Sequence, residues 1–244
     1  MPVTLVRVQY MLLCGIYFVA KQIMPPITSA AAAARLGDVA QLSIAKIIPI
    51  VWLAATGAPK GRVQVGLLLS AVGDIALEVE PTGVLAQHGF VIGLVAFLCA
   101  QVVYMSAFFQ VAPTASLCAG WAVAFASASV AVVAQLWEDL PVPLQWPVAV
   151  YAVAVAGMGY SATAAAAKTS SRGLTLAAVG AVSFLASDTI IAVNKFQFSG
   201  SLPFAKEVIM LTYFAAQFLI AQGTAIADAE VAEAAAAAAV QKKH

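Results

Sequence analysis

Charged residues are scarce in this chain. Of its 244 residues, 9% are Asp, Glu, Lys or Arg and 63% are hydrophobic. A soluble domain has about 25% charged residues, because water must wet its surface. The charge present here is too little for a water-facing shell, so lipid is the predicted outer solvent. The net charge of +1 also argues against nucleic acid as a partner, since neutralising phosphates requires a basic patch.

Histidine and cysteine are also rare, which limits the possible chemistry. The only histidines are His88 and His244, so a histidine-rich catalytic metal site is not expected and we predict no metal ligands. The three cysteines, Cys14, Cys99 and Cys118, all lie in apolar stretches. They are predicted to be small hydrophobic residues and not members of a disulfide framework.

Long apolar stretches are abundant instead. A membrane-spanning helix needs about 20 mostly apolar residues, and eight stretches reach or approach this length. They are residues 4–24, 42–58, 63–80, 90–110, 115–136, 143–166, 174–194 and 203–226. Runs such as Ala30–Ala34 favour helix, and the alternating pattern of a β-barrel is absent. The predicted fold is all-α, a polytopic transmembrane helical bundle of about eight transmembrane helices.

The chain is predicted to form one transmembrane domain, residues 1–226, followed by an alanine-rich tail, residues 227–244. A helical extension and a disordered end are both open for the tail. We expect a protein of the endoplasmic reticulum or plasma membrane. Counting Lys and Arg near the ends of the spans predicts that both termini lie in the cytoplasm. The N-terminal side has Arg7, Lys60, Arg62, Lys168, Arg172, Lys242 and Lys243, and the opposite side, here called the distal side, has Lys21, Arg35, Lys195 and Lys206.

Ionisable residues inside the spans mark the candidate site, because such groups cost several kcal/mol in a bilayer and are functional candidates. Lys46, Asp74 and Asp188 are the main ones. The predicted topology places them in the distal half of the membrane together with further polar residues of four spans. These are Glu78, Gln101, Tyr104, Asn194, Lys195, Lys206, Glu207, Tyr213 and Gln217. The pattern predicts a polar pocket that opens to the distal side between apolar walls.

Helical spacing predicts which of these side chains share a face. Asp74 and Glu78 are four residues apart and lie on one face. Lys206 and Tyr213, seven residues apart, also share a face, which Gln217 extends.

Two aspartates on separate helices suit acid–base chemistry. Asp188 is predicted to point into the pocket, whereas Asn194 and Lys195 cap the end of the same helix. Apolar burial favours the protonated form of a carboxyl group, and a nearby cation favours the ionised form. Asp74 and Asp188, near a lysine, an amide and a tyrosine, can therefore divide the roles of acid and base.

Four sequence blocks resemble a known family. They are LLLSAVGDIALEVE (67–80), FVIGLVAFLCAQVVYMSAF (90–108), GAVSFLASDTIIAVNKF (180–196) and PFAKEVIMLTYFAAQFLIAQG (203–223). In order and spacing they are similar to the YhhN-like lysoplasmalogenase family of multi-pass membrane enzymes. The positions that carry the resemblance are Lys46, Gly73, Asp74, Gly93, Phe97, Tyr104, Ser187, Asp188, Asn194, Lys195, Phe196, Tyr213 and Gln217.

The chain departs from the family pattern at two places. Pro49 follows Lys46 by three residues, where many members read Lys-Pro, and Gln101 stands where they often carry histidine. If that histidine donates a proton in relatives, this chain needs another acid, and catalysis depends more on Asp74 and Asp188.

The resemblance implies hydrolysis of the sn-1 vinyl ether bond of lysoplasmalogens to a fatty aldehyde and a glycerophospho-base. It implies a lysophospholipid substrate, membrane lipids as the other partners, and no metal or redox cofactor. Asp74 and Asp188 would be the catalytic residues, with Lys46, Lys195 or Lys206 binding the phosphate.

Four other interpretations remain open at this stage. The polar residues could only hold helices together, or they could line the pathway of a proton-coupled transporter. They could form the pocket of a non-catalytic lipid receptor. An enzyme of the same fold could also act on another lysolipid ether or ester.

Overall fold

The computed structural model describes residues 3–23, 36–59, 61–79, 88–111 and 118–241, and within these ranges it has eight helices and no strand. The predicted all-α bundle is confirmed. In chain order the helices are α1 Val3–Ile23, α2 Leu36–Thr56, α3 Arg62–Val79, α4 Gly89–Val111, α5 Ala119–Leu136, α6 Val142–Thr169, α7 Arg172–Phe196 and α8 Ala205–Gln241. The basic residues Arg35, Lys60, Lys242 and Lys243, used above to predict the topology, lie outside the described residues.

Six of the described helices are long and apolar enough to cross a membrane. The exceptions are α2, where the apolar stretch with described side chains is Ser43–Thr56, and α3. Helix α3 has only 18 residues and includes Arg62, Asp74 and Glu78. Helices α2 and α3 include Lys46, Asp74 and Glu78 of the candidate site.

Helix α8 continues well past residue 226, the predicted end of the membrane domain. It is a single helix of 37 residues that ends at Gln241, so the tail is a helical extension as far as this residue. The Ser171 hydroxyl, at the N-terminus of α7, donates a hydrogen bond to the Glu230 carboxylate. This bond ties the extension to the adjoining helix.

Helices α7 and α8 pack with their backbones in contact, which small residues allow. A Cβ atom on Gly173 would lie 2.3 Å from the backbone nitrogen of Ala227 and 2.5 Å from the carbonyl oxygen of Gly223. Only hydrogen fits there, so the two backbones are in direct contact. Small residues commonly allow such an approach between membrane helices.

Helices α3 and α4 also approach each other closely, at two glycines of α3. A Cβ atom on Gly66 would lie 2.3 Å from the Tyr104 ring, and one on Gly73 would lie 2.6 Å from the Phe97 ring. The two aromatic rings of α4 therefore rest directly on the α3 backbone. This contact fixes the position of Asp74 relative to α4, because Asp74 directly follows Gly73 in α3.

Helix α1 packs on α8 through aromatic residues. The Tyr10 hydroxyl donates to the Phe214 carbonyl oxygen at 2.8 Å, and the Tyr17 ring lies edge-on to the Phe214 ring at 5.6 Å. The loop after α2 is fixed to α8 as well, since the Gln222 amide donates to the Gly57 carbonyl oxygen at 2.8 Å. These contacts enclose the polar residues of α2, α3 and α8.

The α7–α8 contact predicts that Gly173 cannot be replaced by a residue with a side chain without loss of stability. Gly173→Ala should lower the thermal unfolding midpoint of the protein in detergent, because overpacking typically costs about 1–3 kcal/mol. Gly15→Ala, in α1, is the matched control, since a Cβ atom there meets nothing within 4 Å. Equal midpoints for the two variants would show that the helices do not meet at backbone distance.

Candidate functional site

A buried ion pair joins α2 to α3. The Lys46 ammonium lies 3.2 Å from Asp74 Oδ1 and 3.7 Å from Glu78 Oε2. Lys46 is 8% exposed and Asp74 2% exposed, so water screens their attraction little. The predicted common face of Asp74 and Glu78 is present, because both carboxylates reach the same ammonium.

Tyr213 adds α8 to this group. Its hydroxyl donates to Asp74 Oδ2 at 2.5 Å, while the other carboxylate oxygen faces Lys46. Both oxygens of Asp74 therefore have a polar partner. We call Lys46, Asp74, Glu78 and Tyr213 the charged cluster.

Tyr104 and Gln217 form a second polar contact close to the charged cluster. The Tyr104 hydroxyl donates to Gln217 Oε1 at 2.8 Å, and both residues are fully buried. The Gln217 amide nitrogen has no hydrogen-bond partner in the described part of the protein. Gln217 follows Tyr213 by one helical turn, so it carries the polar stripe of α8 further into the bundle.

Asp188 lies apart from the charged cluster and has a different environment. The Tyr151 hydroxyl of α6 donates to Asp188 Oδ2 at 2.5 Å. The preceding residue, Ser187, instead donates to the Ile209 carbonyl oxygen of α8 at 3.1 Å. Because neighbouring helical residues point about 100° apart, Ser187 holds α8 while Asp188 turns toward α6. We call Asp188 and Tyr151 the aspartate–tyrosine pair.

Two apolar cavities have the aspartate–tyrosine pair in their walls. The first has a volume of about 60 Å³ and lies between α3, α4, α6 and α7; we call it the α4 cavity. Its lining residues are Leu77, Phe90, Leu94, Phe97, Val148, Tyr151, Asp188, Ile191, Ala192 and Phe196.

The second cavity has a volume of about 100 Å³ and lies between α5, α6 and α7; we call it the α5 cavity. It shares Val148, Tyr151, Asp188 and Ala192 with the first. Its other lining residues are Ala128, Ser129, Val132, Val133, Leu136, Ala152, Val155, Leu185 and Thr189. A carboxyl group thus faces a space whose walls suit hydrocarbon.

Gln101 is a fully buried amide beside the aspartate–tyrosine pair. It lies next to the Tyr151 hydroxyl, yet within the described residues neither its side-chain nitrogen nor its oxygen has a hydrogen-bond partner. An unpaired buried amide is costly. Gln101 therefore has free hydrogen-bonding capacity for a water molecule or a polar atom of a ligand.

Some predicted residues lie outside this arrangement. The Asn194 side chain accepts a hydrogen bond from the Leu202 backbone nitrogen at 3.0 Å, so it fixes the turn between α7 and α8. Lys206 is exposed in the first turn of α8, although its spacing from Tyr213 places it on the same side of the helix. Lys195 lies over the Phe90 ring, with its nitrogen 4.8 Å from the ring centroid.

Tyr151 was not among the residues predicted from the sequence. One signal was available, since Tyr151 lies in the first third of α6, at the same distal end of the bundle as Asp188. Helical periodicity could not show which helix would approach Asp188. Among the described residues, no group of three or more His, Cys, Asp or Glu side chains could hold a metal ion.

Comparison with known proteins assigns the chain to a family. The family model described as the YhhN family matches residues 39–224. The chain belongs to the YhhN family. The matched range contains the charged cluster, the aspartate–tyrosine pair and Gln101, so the family resemblance predicted from the sequence is confirmed.

Curated relatives of this YhhN protein are lysoplasmalogenases by name. Human lysoplasmalogenase TMEM86A is 36% identical over 163 residues, which cover 66% of this chain and 63% of the human protein. Bovine lysoplasmalogenase TMEM86A is 35% identical over 169 residues with the same coverage. Pig lysoplasmalogenase TMEM86B is 31% identical over 185 residues, or 73% of each chain. The chain thus spans less than two thirds of the human and bovine proteins, and no solved structure matches it significantly.

The buried ion pair predicts that removing its cation lowers the free energy of unfolding, and that also removing its anion restores most of this loss. Lys46→Met should destabilise the protein by about 3–5 kcal/mol, because it leaves the Asp74 carboxylate without its cation. Adding Asp74→Asn to this variant should restore most of the loss in unfolding experiments. Glu78→Gln is the control with a small effect, since the Glu78 side chain is 21% exposed. Equal instability of the single and double variants would contradict a buried ion pair.

Proposed function

We propose that this protein is a membrane hydrolase that cleaves the sn-1 vinyl ether bond of lysoplasmalogens, releasing a fatty aldehyde and a glycerophospho-base. The observation that carries the proposal is that Asp188 and Tyr151 lie in the walls of two apolar cavities, while a second buried aspartate, Asp74, belongs to a separate charged cluster. The names of the TMEM86 relatives support the same reaction.

Vinyl ether hydrolysis needs an acid and a stabiliser of positive charge. A proton adds to the alkene carbon that does not bear oxygen, which produces an oxocarbenium ion. Water then attacks the carbon attached to oxygen, and the hemiacetal collapses to an aldehyde and an alcohol. General acid–base catalysis contributes about 10²–10⁴-fold to such a rate, and fixed charges near the cation contribute further.

The surroundings of the two aspartates favour different roles. Asp188 faces the apolar side chains of the cavity walls, and apolar surroundings disfavour a charged group unless it is paired with an opposite charge. Asp74 faces an ammonium at 3.2 Å, which stabilises a carboxylate. We assign proton delivery to Asp188 and stabilisation of the developing cation to Asp74.

A residue near the reacting bond must bind and orient the attacking water. Gln101 is buried beside the Tyr151 hydroxyl and has unused hydrogen-bonding capacity. We assign it the binding of this water. A glutamine amide has both a donor and an acceptor, so it can orient water without taking up a proton itself.

The aspartate assignment predicts loss of activity in two variants. Asp188→Asn and Asp74→Asn should each abolish aldehyde release from a lysoplasmalogen by the purified protein in detergent. Asp228→Asn is the control, because Asp228 is exposed in the α8 extension. Thermal unfolding of each variant separates loss of chemistry from loss of fold.

The same assay run on a matched ester lysolipid distinguishes the other interpretations. Fatty acid release from the ester alone would identify a different lysolipid hydrolase. Binding of both lipids without hydrolysis of either would favour a receptor or transporter. Wild-type activity in both aspartate variants would overturn the proposed roles.

Tyr151 is expected to position Asp188 for proton delivery. A hydrogen bond between neutral groups contributes about 0.5–1.5 kcal/mol, so Tyr151→Phe should reduce kcat about 2- to 10-fold and leave KM nearly unchanged. Tyr160→Phe is a control on the same helix, since the Tyr160 hydroxyl has no partner in the described residues. Tyr151→Phe should cause no further loss in an Asp188→Asn background. A purely structural role would instead lower the unfolding midpoint and leave kcat per folded molecule intact.

A further inference from the structure

A glutamine amide of α8 lies beside the tyrosine that binds Asp74. The Tyr213 hydroxyl donates to Asp74 Oδ2 at 2.5 Å, and the Gln217 side chain lies next to this hydroxyl group. The two α8 residues are four positions apart and therefore share one face of the helix. Both are buried, so bulk water is excluded from the contact between them.

Tyr104 of α4 fixes the orientation of the Gln217 amide. Its hydroxyl donates to Gln217 Oε1 at 2.8 Å, and its ring rests on the backbone of α3 at Gly66. A terminal amide has an oxygen at one end and an amino group at the other. Because the oxygen accepts from Tyr104, the amino group is the end that remains for a different partner.

The Gln217 amino group and the Tyr213 oxygen complement each other. Gln217 Nε2 has no hydrogen-bond partner in the part of the chain that the structure describes, and a buried donor without an acceptor is costly. The Tyr213 hydroxyl uses its proton on Asp74, so its oxygen can still accept a hydrogen bond. A donor that lacks an acceptor thus lies next to an oxygen that can accept.

With this contact made, each group donates to the next in a single direction. Tyr104 donates to Gln217, which donates to Tyr213. The Tyr213 hydroxyl in turn donates to the Asp74 carboxylate. Hydrogen bonds in such a chain polarise one another inside a protein. The chain therefore stabilises the carboxylate at Oδ2, while the Lys46 ammonium does so at Oδ1.

The surroundings of Asp188 repeat the first part of this arrangement and lack its end. Tyr151 donates to Asp188 Oδ2, and the Gln101 side chain lies next to the Tyr151 hydroxyl. Among the described residues, neither end of the Gln101 amide has a hydrogen-bond partner, so no residue there takes the place that Tyr104 has in the other chain. Gln101 can therefore turn toward a ligand, whereas the other amide is held.

We propose that Gln217 and Tyr104 are positioning residues for Asp74, on which they act through the Tyr213 hydroxyl. They keep the hydroxyl proton directed at the carboxylate and support the negative charge that stabilises the developing cation. The catalytic consequence rests on the proposed function. The hydrogen-bonded chain itself does not depend on which lipid is cleaved.

The first test separates positioning from packing by kinetics. Gln217→Met keeps the length of the side chain and removes both ends of the amide, so it should reduce kcat about 2- to 10-fold and leave KM nearly unchanged. Tyr104→Phe should cause a loss in the same range. Gln222→Met is the matched control, because Gln222 is a buried glutamine of the same helix that donates to the Gly57 carbonyl oxygen. It should lower the unfolding midpoint and leave kcat per folded molecule unchanged.

In a Tyr213→Phe background, Gln217→Met should cause no further loss of kcat, because its effect passes through the tyrosine hydroxyl. A wild-type kcat in Gln217→Met would overturn the positioning role. An equal further loss in the Tyr213→Phe background would do the same.

The second test detects the chain without turnover, by thermal unfolding in detergent. Gln217→Met should lower the midpoint of the wild-type protein more than that of the Tyr213→Phe protein, in which the amino group has already lost its acceptor. Gln222→Met should lower both midpoints equally. Equal effects of Gln217→Met in the two backgrounds would exclude its hydrogen bond to Tyr213. Unequal effects in a protein that releases no aldehyde would support the chain and count against the proposed reaction, so the two failures are distinguishable.

Discussion

The ion pair between Lys46 and Asp74 constrains the rest of the bundle. Charged side chains inside a membrane protein are costly unless they are paired, so α2 and α3 must lie where the ammonium and the carboxylate meet at 3.2 Å. Tyr213 completes the hydrogen bonding of the same carboxylate and thereby fixes the rotation of α8. Three helices are oriented by one buried carboxyl group.

Close packing through glycines makes this arrangement possible. Gly73 allows the Phe97 ring to rest on the backbone of α3, and Phe97 in turn packs edge-on against Phe184 and Tyr213. The residue that carries the charge is therefore next in sequence to the residue that allows the close approach. Substituting the glycine would displace the aromatic ring and, with it, the tyrosine that binds Asp74.

The site has a charged half and an apolar half, and this division is relevant to the proposed chemistry. Asp74 is enclosed by polar partners, whereas Asp188 faces hydrocarbon-lined space with Tyr151 as its partner. A lipid substrate needs the apolar half for its chain, while an oxocarbenium ion needs a nearby negative charge. Placing the two carboxyl groups on different helices lets one protein provide both environments.

The sequence by itself determined the class of structure, because hydrophobic length and scarcity of charge are local properties. It predicted eight helices, the common face of Asp74 and Glu78, and the family resemblance, although α2 begins earlier and α8 ends much later than predicted. It did not reveal Tyr151 as the partner of Asp188, nor did it show which of the three candidate lysines pairs with Asp74. Periodicity defines which face of a helix a residue occupies, but the helix that meets this face depends on contacts between residues far apart in the chain. Only the tertiary structure decided those pairings, since close packing of α6 against α7 and of α3 against α4 sets which side chains come within hydrogen-bond distance.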